Sequence, residues 1–350
     1  MDGLLEIKAS GMVTSIGFNA RASCAAIRGG VSGVKTGKLW DSESGEYIQV
    51  GKVPLPQWWE GFGKLVELVA PAINECLIAA KPVEAKDIPL LLAVSSSESP
   101  CHFGELETSL IDELEHKLNV GHHPESRVIS DGSVSGVVAL NLVQELFKNR
   151  KISCCIVAGT ESFLHQGVVN AYMAQQRVLT PGNSDGFIPG EAGCAVLIKK
   201  AQRDKGTGLR IIGIGFGVEA GSVESDLPTT GDGLTKAIRA ALTQANLKFS
   251  DVDYWLNDQN GEAYKFKEAT IAKIRLERER ETPRHRRFEV WHPIEFLGEI
   301  GSAIVPCLLG LALGAHSFGY APGHLALLHV GSDNGKRAAL ILEWKREGNY

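Results

Sequence analysis

Short apolar runs alternate with longer amphipathic stretches along the first 200 residues. Unbroken apolar runs at 88–97, 153–162 and 192–201 predict strands that are buried on both faces. Residues 104–118 and the stretch from Ser133 onward have helical spacing. The inward-facing positions of the second helix are Val134, Val137, Val138, Ala139, Leu142, Val143, Leu146 and Phe147. This alternation predicts an α/β fold with a mixed or parallel sheet covered by helices on both faces.

The same order of elements returns after a change of composition near residue 205. A glycine-spaced run at 209–221 and the segment 252–258 predict strands, and residues 231–247 predict a helix between them. We therefore expect two halves, 1–205 and 206–350, that repeat a strand–helix–strand theme.

Two further segments of the second half have distinctive patterns. The most apolar run, 296–321, contains Glu299 and Pro306 and is rich in glycine, which favours a buried core helix over a membrane span. The mixed-charge run 273–291 predicts a solvated helix that ends near Pro283, because its glutamates offset its arginines.

Composition narrows the classes of function. The 350 residues are 44% hydrophobic and 22% charged, which is typical of a globular protein with a large core. A net charge of −5 gives no overall basic field for nucleic acid. The seven cysteines are odd in number and lack C-x-x-C spacing, so we expect a reducing compartment, the cytoplasm, and no metal site. The glycine runs at 213–217 and 331–335 fit neither a dinucleotide fingerprint nor a phosphate loop, so we expect no cofactor.

Ser133 lies where a predicted strand turns into a helix, in the sequence "SDGSVSGVVAL". Spacing alone favours a helix cap, a role that Asp131 could fill equally well. The alternative is a nucleophile, because the free N–H groups of a helix N-terminus stabilise developing negative charge. The stretch is not a G-x-S-x-G hydrolase elbow, since the second glycine is misplaced.

Several segments, in order and spacing, resemble the β-ketoacyl synthase family of the thiolase superfamily. The segment at 185–198, "DGFIPGEAGCAVLI", matches best, and residues 11–34 resemble the family's opening strand, loop and helix. The Ser133 segment resembles the one that carries the family's nucleophile, and "IVAGTES" resembles the strand that follows it. The resemblance implies a thiolase fold, in which two pseudo-repeated halves stack as α-β-α-β-α layers, and a homodimer or heterodimer.

The resemblance fails at the positions that carry the chemistry. Ser133 stands in place of the family's cysteine, Asp258 near the place of its first histidine, and Gly298 and Glu299 near the place of its second. A serine is barely ionised at neutral pH and needs a base, and a carboxylate cannot stabilise an enolate as a histidine does. His292 is a speculative base for Ser133, with His165 and His329 as others.

Two functions remain open on this reading. The first is a ketosynthase-like protein that has lost condensing activity and acts as a dimeric scaffold or adaptor. Its protein partner would be an acyl carrier protein or a secretion effector, since similar degenerate genes lie beside type VI secretion effectors. The second is a 3-oxoacyl synthase-like acyltransferase that uses Ser133 as an acyl-enzyme nucleophile, with acyl-carrier-protein or coenzyme A thioesters as donors. Active condensation is disfavoured because the decarboxylation machinery is absent.

Overall fold

A computed structural model describes residues 4–345, apart from residue 105 and the segments 150–151, 202–205 and 279–288. The elements of the first half are β1 (Leu5–Val13), α1 (Ala20–Arg28), β2 (Val34–Asp41), β3 (Glu46–Gly51), α2 (Phe62–Ala80), β4 (Leu90–Ala93), α3 (Leu106–Leu118), β5 (Arg127–Ile129), α4 (Ser135–Asn149), β6 (Cys154–Ser162), α5 (Gln166–Ala174) and β7 (Glu191–Lys200). The elements of the second half are β8 (Gly208–Val218), α6 (Asp232–Ala245), β9 (Tyr254–Asn257), α7 (Ala263–Glu277), β10 (Glu289–Trp291), α8 (Ile294–Leu297), α9 (Ile304–Ser317), β11 (Leu325–Gly331) and β12 (Lys336–Lys345).

Ten strands form one mixed sheet in the order β10-β9-β11-β12-β8-β1-β7-β6-β4-β5, and β2 pairs with β3 in a separate hairpin. In the first half β6, β4 and β5 are parallel, whereas β1, β7 and β6 are antiparallel. In the second half β11, β9 and β10 are parallel, whereas β8, β12 and β11 are antiparallel. Each strand of one half thus has a counterpart in the other, as the thiolase fold requires.

The helices form three layers around the two halves of the sheet. Helices α2 and α3 cover the outer face of the first half, and α6 and α7 cover that of the second. Helices α4 and α9 lie between the halves, in the largest apolar cluster of the protein. The α-β-α-β-α layering predicted from the resemblance is therefore confirmed. The halves join where Leu5–Ile7 of β1 pairs with Leu209–Ile211 of β8.

The apolar segment predicted to be a buried core helix is α9, and this prediction is confirmed. Its residues from Ile304 to Ala312 are all buried, and Pro306 lies in the first helical turn, where no intrahelical N–H bond is lost. Within the part of the chain that the structure describes, no helix combines the length and apolarity that crossing a bilayer requires.

Two boundaries from the sequence analysis have different outcomes. Helix α7 ends at Glu277, and the predicted helix end near Pro283 lies outside the described residues. The last three residues of the mixed-charge run, 289–291, form the strand β10. The division at 205/206 falls between β7 and β8 and stays a prediction.

Candidate functional site

A 3₁₀ turn, residues 132–134, connects the end of β5 to the buried helix α4. Gly132 opens this turn with φ of +63°, a left-handed conformation that glycine adopts without steric cost. Ser133 is the middle residue of the turn and is half-buried. Asp131 precedes the turn as its N-cap residue and makes no side-chain cap hydrogen bond to the described residues. The Ser135 hydroxyl accepts the Asp131 N–H at 2.7 Å. Ser133 therefore lies in the first turn, after the capping position, and its role stays a prediction.

The loop between β11 and β12 holds the Ser133 turn in place. The Ser332 hydroxyl donates to the Asp131 carbonyl oxygen at 2.6 Å and accepts the Val134 N–H at 3.1 Å. Lys336, at the end of the loop, forms an ion pair with the Asp131 carboxylate. The loop 332–335 therefore binds directly to the turn.

Ser133 opens onto a cavity of about 130 Å³ between the two halves. Its lining combines an aromatic wall of Phe163, Tyr172 and Phe187 with polar and mostly acidic side chains. The polar and charged members are Ser96, Glu98, Ser99, Glu161, Gln175, Arg177, Glu224, Asn260, Lys265, Glu299, Ser332, Asp333 and Asn334. Of the residues predicted for the site, Ser133 and Glu299 share this cavity, whereas Asp258, Gly298 and His292 are not among its described lining residues. Within the described residues, the Ser133 hydroxyl has no hydrogen-bond partner and no histidine lines the cavity.

Asp258, near the position of the first family histidine, is buried in an ion pair. Its Oδ2 accepts a hydrogen bond from Lys265 Nζ and another from the Gly331 N–H, each at 3.0 Å. Burial alone would raise the pKa of Asp258, but the charges of Lys265 and His329 and the Gly331 N–H hold it below its ordinary value. Asp258 is therefore an ionised partner of Lys265 and has no proton to donate to a carbonyl group.

Glu299 follows Gly298, and the sequence resemblance aligns the two approximately with the family's second histidine. Its Oε2 accepts a hydrogen bond from Asn260 Nδ2 at 2.6 Å, its Oε1 accepts the Gly301 N–H at 2.9 Å, and Lys265 Nζ lies 3.9 Å from Oε2. Burial raises the pKa of Glu299, and Lys265 opposes this shift in part. Gly298 has a φ of +79° and ends the short helix α8, so it shapes the turn.

Arg177 closes the cavity on the other side, and the sequence analysis missed it. Its guanidinium binds Glu262 at 2.7 and 3.1 Å and Asp333 at 2.8 and 3.0 Å, with two hydrogen bonds to each carboxylate. Planar bidentate pairing of this kind is the strong geometry for arginine. The partners lie 85 and 156 residues away along the chain, so no local signal could have identified them.

Glu161 is a second residue that sequence reasoning missed. It ends β6, is buried, and accepts the Ser302 N–H on Oε2 at 2.7 Å. Burial raises the pKa of Glu161 to about 7, although the bonds from Ser302 oppose the shift. This carboxyl is therefore close to half-protonated near neutral pH.

The candidate histidine bases lie elsewhere in the fold. His292 Nε2 is 3.9 Å from Glu295 Oε1, and its ring packs against Phe266 on a different surface pocket. His165 is exposed and accepts the Gly167 N–H at the start of α5. His329 is buried against Trp255, and burial lowers its pKa to about 4. A base within hydrogen-bond reach of Ser133 is thus missing from the described histidines.

One cluster outside the cavity has the residue types of a metal site. Asp112 and Glu115 on α3 and the nearby His122 bring three ligand-type atoms within 4.8 Å of one another. His122 Nδ1 and Glu115 Oε1 already form a hydrogen bond at 3.0 Å. Asp112 and His122 are exposed, and exposed acidic groups of this kind are common without an ion.

The sheet order, the central helix pair and the two glycine-led turns define the thiolase-like fold of ketosynthases. No protein-family profile and no curated protein matches the sequence of this chain. Three solved structures illustrate the likeness, each at a level of identity that shows the fold alone. A ketosynthase in complex with its chain length factor from Xenorhabdus doucetiae is 17% identical, with a TM-score of 0.74 and 98% of each chain covered. A ketosynthase in complex with a type II polyketide acyl carrier protein is 15% identical, with a TM-score of 0.78 and coverage of 99% of this chain and 100% of that one. The ketosynthase from module 6 of the Bacillus subtilis bacillaene synthase is 14% identical, with a TM-score of 0.75 and coverage of 98% and 72%.

Proposed function

We propose that this protein is a non-condensing ketosynthase-fold subunit that acts through protein contacts, as a dimeric scaffold or adaptor. One observation carries the proposal. The carboxylates at the two histidine-like positions, Asp258 and Glu299, bind Lys265, Asn260 and backbone N–H groups of the protein itself. Decarboxylative condensation needs donors that face the substrate carbonyl, and groups that are already paired supply none.

The lining of the Ser133 cavity supports the same conclusion. Five carboxylates stand against two cationic side chains, Arg177 and Lys265, in a space of about 130 Å³. An acyl chain gains free energy by burying apolar surface, and a space of about 130 Å³ has room for only a short chain, although Phe163, Tyr172 and Phe187 line part of it. The Ser133 cavity therefore suits water and small polar groups better than an acyl tail.

The partner of the proposed scaffold is inferred by likeness of fold. Ketosynthases with this fold occur in complex with a chain length factor and with an acyl carrier protein. By analogy, we propose that this chain forms a homodimer or heterodimer through its thiolase-like core and binds an acyl carrier protein or a secretion effector. The link to type VI secretion and the cytoplasmic location stay predictions.

The competing function is acyl transfer through Ser133, whose hydroxyl has no partner in the described residues and faces the cavity. The test is to incubate the protein with acyl-carrier-protein and coenzyme A thioesters and to measure acyl mass on the Ser133 peptide. The Ser133→Ala variant is the control. We expect no adduct on either protein. An adduct that forms on the wild type, depends on Ser133 and turns over would replace the scaffold with the acyltransferase.

A further inference from the structure

A second cavity, of about 500 Å³, lies outside the Ser133 cavity and within the first half. It is bounded by the β2–β3 hairpin on one side and by the segment 52–64 on the other. A volume of this size is typical of pockets that hold small organic ligands. Nothing in the proposed scaffold function uses it.

The wall of this cavity is positively charged in a protein whose net charge is −5. Lys35, Lys38 and Lys52 line the cavity and are exposed, and none has a hydrogen bond or ion pair within the described residues. Glu60 is the one acidic residue among its described lining residues. Three ammonium groups without partners around one cavity favour an anionic ligand, because the repulsion among them falls when negative charge enters.

The floor of the cavity is fixed and electrically balanced. Lys64 is buried, and its Nζ binds Glu191 Oε2 at 2.7 Å. The other oxygen of Glu191 accepts the Val53 N–H at 3.0 Å, and the Ser162 hydroxyl donates to Oε2 at 2.7 Å. The charge available to a ligand therefore comes from the three lysines at the wall.

An irregularity in β2 shapes the other side of the cavity. Thr36 pairs with Gln49 and Trp40 with Tyr47, so residues 37–39 lie opposite a single residue of β3. Such a bulge redirects side chains, and here it brings Lys38 and Leu39 to the cavity wall. The bulged strand is anchored to α5, because the Gln166 side chain exchanges two hydrogen bonds of 2.9 Å with the Trp40 backbone.

Apolar side chains complete the lining. Val50 is buried in the core beneath the hairpin, as is Leu164, and Leu39 and Leu55 add half-buried surface. We propose that this cavity binds a small organic phosphate, with its apolar body against Leu39, Val50 and Leu164 and its dianionic group among Lys35, Lys38 and Lys52. Lysine binds phosphate as a mobile point charge, which suits a ligand whose apolar body sets its position.

The test uses 1-naphthyl phosphate as the probe and follows the quenching of tryptophan fluorescence, since Trp40 and Trp59 are next in the chain to the lining residues Leu39 and Glu60. We expect saturable binding at one site per chain. The triple variant Lys35→Gln, Lys38→Gln, Lys52→Gln should weaken binding at least tenfold. The matched control replaces three exposed lysines elsewhere, Lys148, Lys236 and Lys267, with glutamine and should change affinity less than twofold. If the triple variant fails to fold, each single variant should still weaken binding about threefold.

Two analogues separate the parts of the ligand. Inorganic phosphate and neutral 1-naphthol should each bind at least tenfold more weakly than the probe. Unchanged affinity of a folded triple variant, or equal affinity for inorganic phosphate, would overturn the assignment. Vesicles that contain phosphatidic acid identify the source of the phosphate. If the wild type sediments with these vesicles and the triple lysine variant does not, the phosphate belongs to a lipid headgroup. If the wild type does not sediment with them, the phosphate belongs to a free metabolite.

Discussion

The two halves of the protein contain the same turn, and the two turns are used differently. In each half a glycine with positive φ, Gly132 or Gly301, opens a 3₁₀ turn whose middle residue is a serine, Ser133 or Ser302. Ser302 is buried, and its hydroxyl donates to the Thr160 carbonyl oxygen at 3.0 Å. Ser133 is half-buried and faces a cavity.

A hydroxyl at a helix N-terminus does not by itself make a catalytic site. A serine nucleophile needs a base and a second group that orients the base. Around Ser133 the nearby charges are paired with one another, as Arg177 is with Glu262 and Asp333. The turn at Ser133 has the same 3₁₀ form as the turn at Ser302, while Arg177 and its partners join the two halves.

The largest loss of stability should come from removing Arg177, which joins the two halves beside the Ser133 cavity. Arg177→Met leaves the buried Glu262 carboxylate and the half-buried Asp333 carboxylate without their cation. Loss of one partner of a buried ion pair costs about 3 to 5 kcal/mol of unfolding free energy. Denaturant unfolding measures this cost, and the exposed Arg21→Met is the control. A loss below about 1 kcal/mol, the value of a surface pair, would mean that Arg177 does not hold the halves together.

Alanine should cost more unfolding free energy at Gly301 than at Gly132. A Cβ at Gly301 would lie 2.1 Å from Glu161 Oε2, whereas a Cβ at Gly132 would have Ser332 Oγ as its nearest atom at 3.3 Å. Both alanine variants suffer a left-handed backbone penalty of about 1 to 2 kcal/mol, and Gly301→Ala adds an overpacking cost of about 1 to 3 kcal/mol. Unfolding midpoints of the two variants, compared at constant slope, test this ranking. Equal losses would contradict the tighter environment of the Ser302 turn.

The Ser302 turn should also respond to pH through Glu161. The folded pKa of Glu161 is raised to about 7, above its ordinary 4.5, so its stabilising contribution is complete below about pH 4.5 and is lost as the pH rises through 7. The loss is about 3 kcal/mol at one pKa unit per 1.36 kcal/mol. His329, whose pKa is lowered to about 4, acts in the opposite direction, because stability present above pH 6.5 is lost as the pH falls toward 4. Unfolding of Glu161→Gln relative to wild type at pH 4, 6 and 8 isolates the Glu161 effect. A difference in unfolding free energy between Glu161→Gln and the wild type that does not change with pH would contradict the raised pKa.

The smallest effects distinguish the two serines. Ser302→Ala removes a buried hydrogen bond and should cost about 1 kcal/mol. Ser133→Ala removes no hydrogen bond within the described residues and should stay within about 0.5 kcal/mol of wild type. Paired denaturant curves measure both. A larger cost at Ser133 than at Ser302 would reveal a structural contact of the Ser133 hydroxyl and would reverse the comparison.

The fold was predictable because its signals are local. Apolar runs predicted β4, β6 and β7, and helical spacing predicted α3, α4 and α6, all within a few residues of their observed bounds. The apolar segment 296–321 predicted α9, although the helix begins only at Ile304 and ends at Ser317. The predicted strands at 209–221 and 252–258 are β8 and β9. The β2–β3 hairpin was not predicted, since its exposed and partly bulged strands lack an unbroken apolar run.

The candidate site was predictable only in part. The resemblance pointed to Ser133 and Glu299, which share a cavity in the structure. It also pointed to Asp258, which does not line the cavity and accepts a hydrogen bond from Lys265. Arg177 and Glu161 were missed because their roles depend on pairing across the two halves. Lys265 was missed because its place in a helix gives no sign that it is buried against Asp258 and Glu299. From sequence alone, a charged residue in a predicted loop or at a strand end is expected to be solvent-exposed, because its distant partner is unknown.

The most direct test of the account measures CO2 release from malonyl thioesters of acyl carrier protein and of coenzyme A. The wild type, Ser133→Ala and a competent ketosynthase as positive control are assayed side by side. Because we propose that the protein does not catalyse condensation, we expect the wild type to release CO2 no faster than Ser133→Ala and no faster than buffer. Release above buffer that disappears in Ser133→Ala would contradict the claim that this ketosynthase fold does not catalyse condensation.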